Sequence, residues 1–232
     1  MKRKLGITFL VCIIAYTGLL YFGMVPPLLP FLNIHGQEPG MPADVAADNK
    51  KVAITFDDGP NAQYTPFLLD GLKSREVKAT FFLIGQNIAG NEELLKRMKE
   101  EGHLIGNHSY YHSELYKLPL EKACMEVRQT NELIYDITGY EPEFLRPPFG
   151  AWDRQCECPE NMIPVYWDVD PLDWKSKDAA SVVQRVLEDV EDGDIILLHD
   201  IYKSSVEAAL TIIDCLKDKG YEFVTVDELI LD

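Results

Sequence analysis

The sequence predicts an α/β protein on a parallel sheet, closed or nearly closed into a barrel, preceded by one N-terminal transmembrane helix. Three observations carry this expectation. From Lys50 onward, short apolar runs alternate with amphipathic helical stretches, the pattern of parallel β/α units. The polar residues able to do chemistry come directly after the ends of those runs: Asp57-Asp58, His108, Arg146, Asp170 and His199. Barrels and open α/β sheets both gather their sites there, and so many strand ends meeting at one mouth favour closure. Finally, Leu5–Val25 is 21 residues without a charge behind Lys2-Arg3-Lys4. At ~1.5 Å per residue it spans roughly 30 Å, a bilayer core.

The elements follow in order. Val52–Phe56 is a short apolar strand. Thr65–Ser74 is a helix, with Phe67, Leu68, Leu69 and Leu72 at helical spacing. Thr80–Ile84 is the second strand. Asn91–Glu101 is an amphipathic helix stopped by Gly102. His103–Gly106 is a short strand entering a loop, and Leu120–Ile137 is a long helix ended by Gly139. Phe144–Arg146 is a strand halted by Pro147-Pro148, and Ile163–Val169 is another strand. Asp178–Val190 is a helix with Val182, Val183, Val186 and Leu187 on one face. Ile195–Leu198 is a buried strand, Ser205–Lys217 a helix and Phe223–Val226 the last strand. There is no internal repeat, and periodicity alone does not separate an open sheet from a barrel.

Composition narrows the function classes. The chain has 232 residues, 22 basic and 38 acidic, for a net charge of −16. Residues 1–40 hold three basic and one acidic residue, so the remainder carries 19 against 37, or −18. A surface that acidic does not neutralise phosphates, which excludes an electrostatic nucleic-acid binder. The apolar run is longer than the ~7–15 residues of a signal-peptide core, and Val25-Pro26-Pro27-Leu28-Leu29-Pro30 is no small-residue cleavage site. Residues 1–25 therefore read as an uncleaved signal anchor with a cytoplasmic N-terminus. A cleaved signal and a buried soluble helix are the competing readings. Residues 26–49, rich in Pro, Gly and small side chains, read as an extracytoplasmic linker to the domain over 50–232. Cys12 falls in the apolar run. Cys124, Cys156, Cys158 and Cys215 are too sparse for a disulfide scaffold, and their redox state stays open.

Five short motifs carry chemistry. In Thr55-Phe56-Asp57-Asp58-Gly59-Pro60, adjacent carboxylates on an extended backbone point in different directions, one toward a metal and one toward a reacting water. A solvated acidic turn is the plain alternative. His108 and His112, four apart, project from one face of a helical turn and can share an ion. With Asp58 they make a His₂-carboxylate set, the pattern of a catalytic zinc site with an open position, though these ligands admit other divalent metals. Arg146-Pro147-Pro148-Phe149-Gly150, Asp170-Pro171-Leu172-Asp173-Trp174 and Ile196-Leu197-Leu198-His199-Asp200, a strand ending in a polar pair, are each weak alone.

Together, in this order, the five motifs resemble those of the polysaccharide deacetylases, carbohydrate esterase family four. The resemblance runs from about Lys50 to Asp232. It implies a distorted, incomplete (β/α) barrel and metal-dependent removal of N-acetyl, less often O-acetyl, groups from glycans. It implies Asp58, His108 and His112 as ligands of one divalent ion, zinc first, with cobalt, nickel or manganese admitted. Asp57 is the implied general base, held by Arg146. His199 is the implied general acid, paired with Asp173. The backbone N–H of Phe149 is the implied oxyanion donor, since Pro147-Pro148 have none. Trp174 and Leu197 are the implied walls of an acetyl pocket, and Ser109 fixes the His108–His112 turn. The Ala151–Asn161 stretch is shorter than the family pattern, so a helix there is expected to be lost. The expected function is peptidoglycan N-acetylglucosamine deacetylation, with an acetylated glycan and the cytoplasmic membrane as partners and no nucleic acid. A chitooligosaccharide or acetylxylan deacetylase, or a non-catalytic glycan-binding protein, are the alternatives.

Overall fold

An apolar run with no polar alternation is buried on both faces and belongs at the centre of a helix-covered parallel sheet. Val52–Phe56 is such a run. In the computed structural model, which describes residues 50–152 and 162–231, it forms the middle of strand β1 (Lys50–Asp57). Val52, Ala53, Ile54 and Phe56 are fully buried. Helix α1 (Thr65–Ser74) starts with Pro66 in its first turn, where a missing N–H does no harm. Strand β2 (Thr80–Leu83) pairs with β1, and strand β3 (Leu104–Asn107) with β2, on the far side of helix α2 (Glu92–Glu100). Helix α3 (Leu120–Thr138) ends at Gly139, whose φ of 67° is the left-handed stop that glycine adopts without strain. Strands β4 (Phe144–Leu145) and β5 (Ile163–Pro164) complete one wing. Short helix α4 (Asp173–Ser176) and helix α5 (Ala179–Asp189) lead to strand β6 (Ile195–His199). Helix α6 (Lys203–Asp218), strand β7 (Tyr221–Val224) and helix α7 (Val226–Leu231) follow.

All pairings are parallel, in the order β5-β4-β3-β2-β1-β6, with β7 also on β1. β1 changes partner along its length: Lys50–Ala53 face β7, and Ala53–Asp57 face β6. The circle closes through a poor ladder. The expected strand Ile163–Val169 is not continuous: it pairs with β4 only at Ile163 and Pro164, then meets β6 in a single bridge, Val169 to Ile196. Pro164 offers no N–H, and the segment must move from one neighbour to another within a few residues. The result is the distorted, incomplete barrel the sequence implied.

Strand alternation sorts the core. Ile54, Phe56, Phe81 and Leu83 point outward into the large cluster beneath α1, α2, α5 and α6. Ala53, Phe82 and Ile195 point inward, with Phe144, Val165 and Val226. Thr55 and Asp57 share the inward phase of Ala53, which carries the Asp57 carboxylate into the barrel mouth.

Two expectations fall on residues outside those described: the transmembrane helix with its linker, and the shortened loop over 153–161. Among the described residues, no helix is long and apolar enough to cross a membrane. Cys124 is disulfide-bonded and Cys215 is free.

Candidate metal centre and active site

The ends of strands β1, β3, β4 and β6 build the centre. Asp57 ends β1, and Asp58 follows at φ 71°. The expected extended backbone through both carboxylates is therefore wrong at Asp58: the chain turns left-handed there, and the turn separates the two carboxyl directions. His108 follows β3. The expected helical turn over His108–His112 is also absent: the segment is an irregular loop with Ser109 at φ 62° and His112 at φ 59°. Side-chain bonds replace the helical ones. Asn107 Oδ1 accepts the Ser109 N–H at 2.7 Å, and Ser109 Oγ accepts the His112 N–H at 3.0 Å. Ser109 thus holds the turn, as expected. Non-glycine residues in this backbone region are costly and persist where the surroundings over-determine them. Asp58, Ser109, His112, Phe149 and Leu172, the last preceding Asp173, all lie at this mouth.

The ligand set is convergent. Asp58 Oδ1 lies 3.5 Å from Nε2 of both His108 and His112, and ligand atoms of the three residues fall within 4.8 Å of one another. His108 Nδ1 is 2.6 Å from the Arg146 carbonyl, which only accepts. Nδ1 therefore carries the proton, and Nε2 presents its lone pair to the centre. Burial, then His108 beside it, lowers the His112 pKa and favours the neutral ligand form. Asp58 Oδ1 is buried with no hydrogen-bond partner among the described residues. An orphaned carboxylate oxygen between two imidazole lone pairs fits a divalent cation.

Two oriented groups flank the set. Asp57 Oδ1 accepts from Arg146 Nη1 at 2.9 Å, and Asp57 Oδ2 is 3.7 Å from His108 Nε2. Arg146 is wholly buried, with Nη1 also donating to Thr55 Oγ1 at 2.6 Å and Nη2 to the Tyr166 carbonyl at 2.9 Å. Its guanidinium stacks 4.3 Å above Phe82, an arrangement lysine does not reproduce. At the end of β6, His199 Nδ1 meets Asp173 Oδ1 at 2.8 Å, and Asp173 Oδ2 accepts the His199 N–H at 2.9 Å. Burial pushes His199 down. The hydrogen bond and charge of Asp173, with Asp57 and Asp58 behind, outweigh it and raise the pKa to about 9.

Asp57, Asp58, His108, His112 and His199 line a cavity of about 460 Å³ with Phe149, Trp174 and Leu197 on its walls, while Arg146 and Asp173 are buried behind Asp57 and His199. The Phe149 ring stands edge-on to His112 with centroids 4.6 Å apart. Asp170 also lines the cavity, its Oδ1 accepting the Leu172 N–H at 2.8 Å. Sequence reasoning gave no role to Trp167, Thr55, Asn107 or Asp200. Trp167 lines the cavity and packs over Gly150. Thr55 was findable, since it shares the inward phase of Asp57. Asn107 and Asp200 sit directly beside His108 and His199, but adjacency alone carried no role. Burial raises the Asp200 pKa to about 7.

A carboxylate held by arginine and an imidazole held by aspartate both border a His₂-Asp set. That is the equipment of a hydrolase that activates water against a carbonyl. The family model described as polysaccharide deacetylase matches residues 44–158. Similar proteins include the peptidoglycan-N-acetylglucosamine deacetylase PgdA of Listeria monocytogenes, 43% identical over 184 residues, covering 79% of this chain and 40% of the relative. A peptidoglycan-N-acetylglucosamine deacetylase of Bacillus cereus is 40% identical over 190 residues, covering 77% and 68%. The peptidoglycan-N-acetylmuramic acid deacetylase PdaC of Bacillus subtilis is 42% identical over 185 residues, covering 80% and 40%. The solved PdaC structure superposes with a TM-score of 0.76 over 78% of this chain and 90% of that one. The chain belongs to the polysaccharide deacetylase family. It spans about 40% of the length of the Listeria relative.

Proposed function

We propose that this protein is a metal-dependent polysaccharide deacetylase that hydrolyses the acetamido groups of peptidoglycan N-acetylglucosamine to free amine and acetate. The observation that carries the reading is that Asp57, held by Arg146, and His199, held by Asp173, both border the Asp58–His108–His112 set, with Asp57 Oδ2 3.7 Å from His108 Nε2 and His199 Nε2 4.0 Å from Asp58 Oδ2. A divalent cation there, zinc by ligand type with cobalt, nickel or manganese also admitted, supplies Lewis acidity toward water and the acetyl carbonyl. Asp57 takes the proton of the attacking water, and the Arg146 bond orients its carboxylate. The Phe149 N–H donates to the developing oxyanion. Protonated His199 gives its proton to the departing nitrogen, because an amide anion does not leave unaided. Trp174 and Leu197 enclose the acetyl methyl, with Trp167 beside them.

The peptidoglycan assignment draws on the names of the relatives, which divide between N-acetylglucosamine and N-acetylmuramic acid. The intact Asp57-Asp58 pair inclines the choice to N-acetylglucosamine. The sequence pattern of residues 1–25 and 26–49 supports a membrane-tethered, extracytoplasmic domain over 50–232. Amine release from purified peptidoglycan, chitotetraose and acetate release from acetylxylan, each with and without chelator, tests the reading. Chelator-sensitive release, greatest on peptidoglycan, is the expected result. Preference for acetylxylan would overturn the substrate, and no release from any of them after metal loading would overturn the activity.

A further inference from the structure

Asp200 has no part in the chemistry derived above, yet it is fully buried directly behind His199. Its Oδ2 accepts a hydrogen bond from Oγ1 of Thr65, the first residue of α1. Thr65 Oγ1 in turn accepts the Asn61 N–H at 2.8 Å, and the Thr65 N–H donates to the Asn61 carbonyl at 3.1 Å. Asn61 Oδ1 caps the next turn, accepting from Gln63 N–H at 2.9 Å and Tyr64 N–H at 3.0 Å. The other carboxyl edge lies against Gly59: a Cβ there would stand 2.5 Å from Asp200 Oδ1. Only glycine permits this approach. Gly59 is the residue after Asp58, whose left-handed backbone is tied on the opposite side by Asn87 Nδ2 to the Asp58 carbonyl at 2.8 Å.

We infer that Asp200 is a positioning residue for the metal-ligand set: its buried carboxyl clamps the Gly59–Thr65 turn to the end of β6 and so fixes Asp58. The turn connects Asp58 to α1 and has no regular ladder of its own. Without the clamp, Gly59 gains room, and the Asn87 bond to the Asp58 carbonyl and the Ile84 N–H bond to the Gly59 carbonyl at 3.0 Å are left to hold Asp58 in a backbone conformation that a non-glycine residue ordinarily avoids. Groups that orient metal ligands in this way typically contribute 10–100-fold to affinity, as an order of magnitude. The inference rests on the metal-site reading above.

Cobalt affinity of metal-stripped protein, measured by chelator competition with the visible spectrum of bound cobalt, tests it on Asp200→Ala, Asp200→Asn and Thr65→Val. Asp200→Ala is expected to bind cobalt about 10-fold or more weakly, with an altered spectrum, while its Tm still shows a folded protein. Asp200→Asn keeps the shape and an acceptor for Thr65 and is expected to restore most of the affinity. Wild-type affinity and spectrum in folded Asp200→Ala would overturn the inference alone. Should that variant not fold, Thr65→Val decides: weakened binding supports the clamp, and unchanged binding overturns it. A wild-type protein that takes up no cobalt would sink the metal-site reading and the inference with it.

Discussion

At the scale of single residues, identical side chains take different roles from their neighbours. Asp57 is bound to a guanidinium, Asp58 has an orphaned oxygen between two imidazoles, Asp173 is spent on His199, and Asp200 is sealed against Gly59. Asp57→Asn retains the shape but accepts no proton. It is expected to lower turnover by about 10²–10⁴-fold with metal affinity unchanged, read by steady-state kinetics beside metal titration. His199 must be protonated to act as acid, so activity falls as pH rises through its pKa of about 9. Asp173→Asn removes the group that raises that pKa. The alkaline limb of kcat is then expected to move to lower pH; an unmoved limb would mean that another group sets it. The grouping of the candidate residues was legible because most of them follow a strand end. The backbone that aims them was legible only in part: Ser109, inside its motif, holds His112, but Asn87 and Asn107, which tie Asp58 and Ser109, lie outside the motifs.

At the scale of elements, apolar periodicity placed the helices to within a few residues, because α1, α2, α3, α5 and α6 each bury one stripe against the sheet. It failed where tertiary partners decide. The Ile163–Val169 run is apolar enough for a strand, yet its partner changes midway. The C-terminal run was read as strand through Val226, but Val226 opens α7. The signal was present: Thr225-Val226-Asp227-Glu228 is a capping-box pattern, and the Thr225 N–H donates to Glu228 Oε2 at 3.0 Å. The β3–loop junction offers an element-scale prediction. The buried Asn107 amide donates to the Val127 carbonyl at 2.8 Å and Asn131 Oδ1 at 2.7 Å, while its oxygen takes the Ser109 N–H. Asn107→Ala strands these partners, at about 1–3 kcal/mol for each buried group left unsatisfied. It is expected to lower Tm by several degrees and also to weaken metal binding, because the same amide anchors the His108–His112 loop. A Tm loss with metal affinity unchanged would show that the loop holds its shape without Asn107.

For the whole molecule, the parallel architecture and the gathering of the site at the carboxyl ends of the strands followed from alternation alone, whereas closure did not. A barrel and an open sheet share the same local periods. What distinguishes this chain is one bridge at Val169 and the double pairing of β1 with β6 and β7. The buried Arg146 occupies interior space that apolar layers fill in a complete barrel, beside a cavity of about 460 Å³. The account turns on one claim: a single divalent ion at Asp58, His108 and His112 makes this mouth an amide hydrolase. Titrating metal-stripped protein with zinc while following amine release from peptidoglycan tests it most directly. Activity should be absent at the start, rise with added zinc and break at one ion per chain. Full activity in the stripped protein, or none at any zinc level, would contradict it.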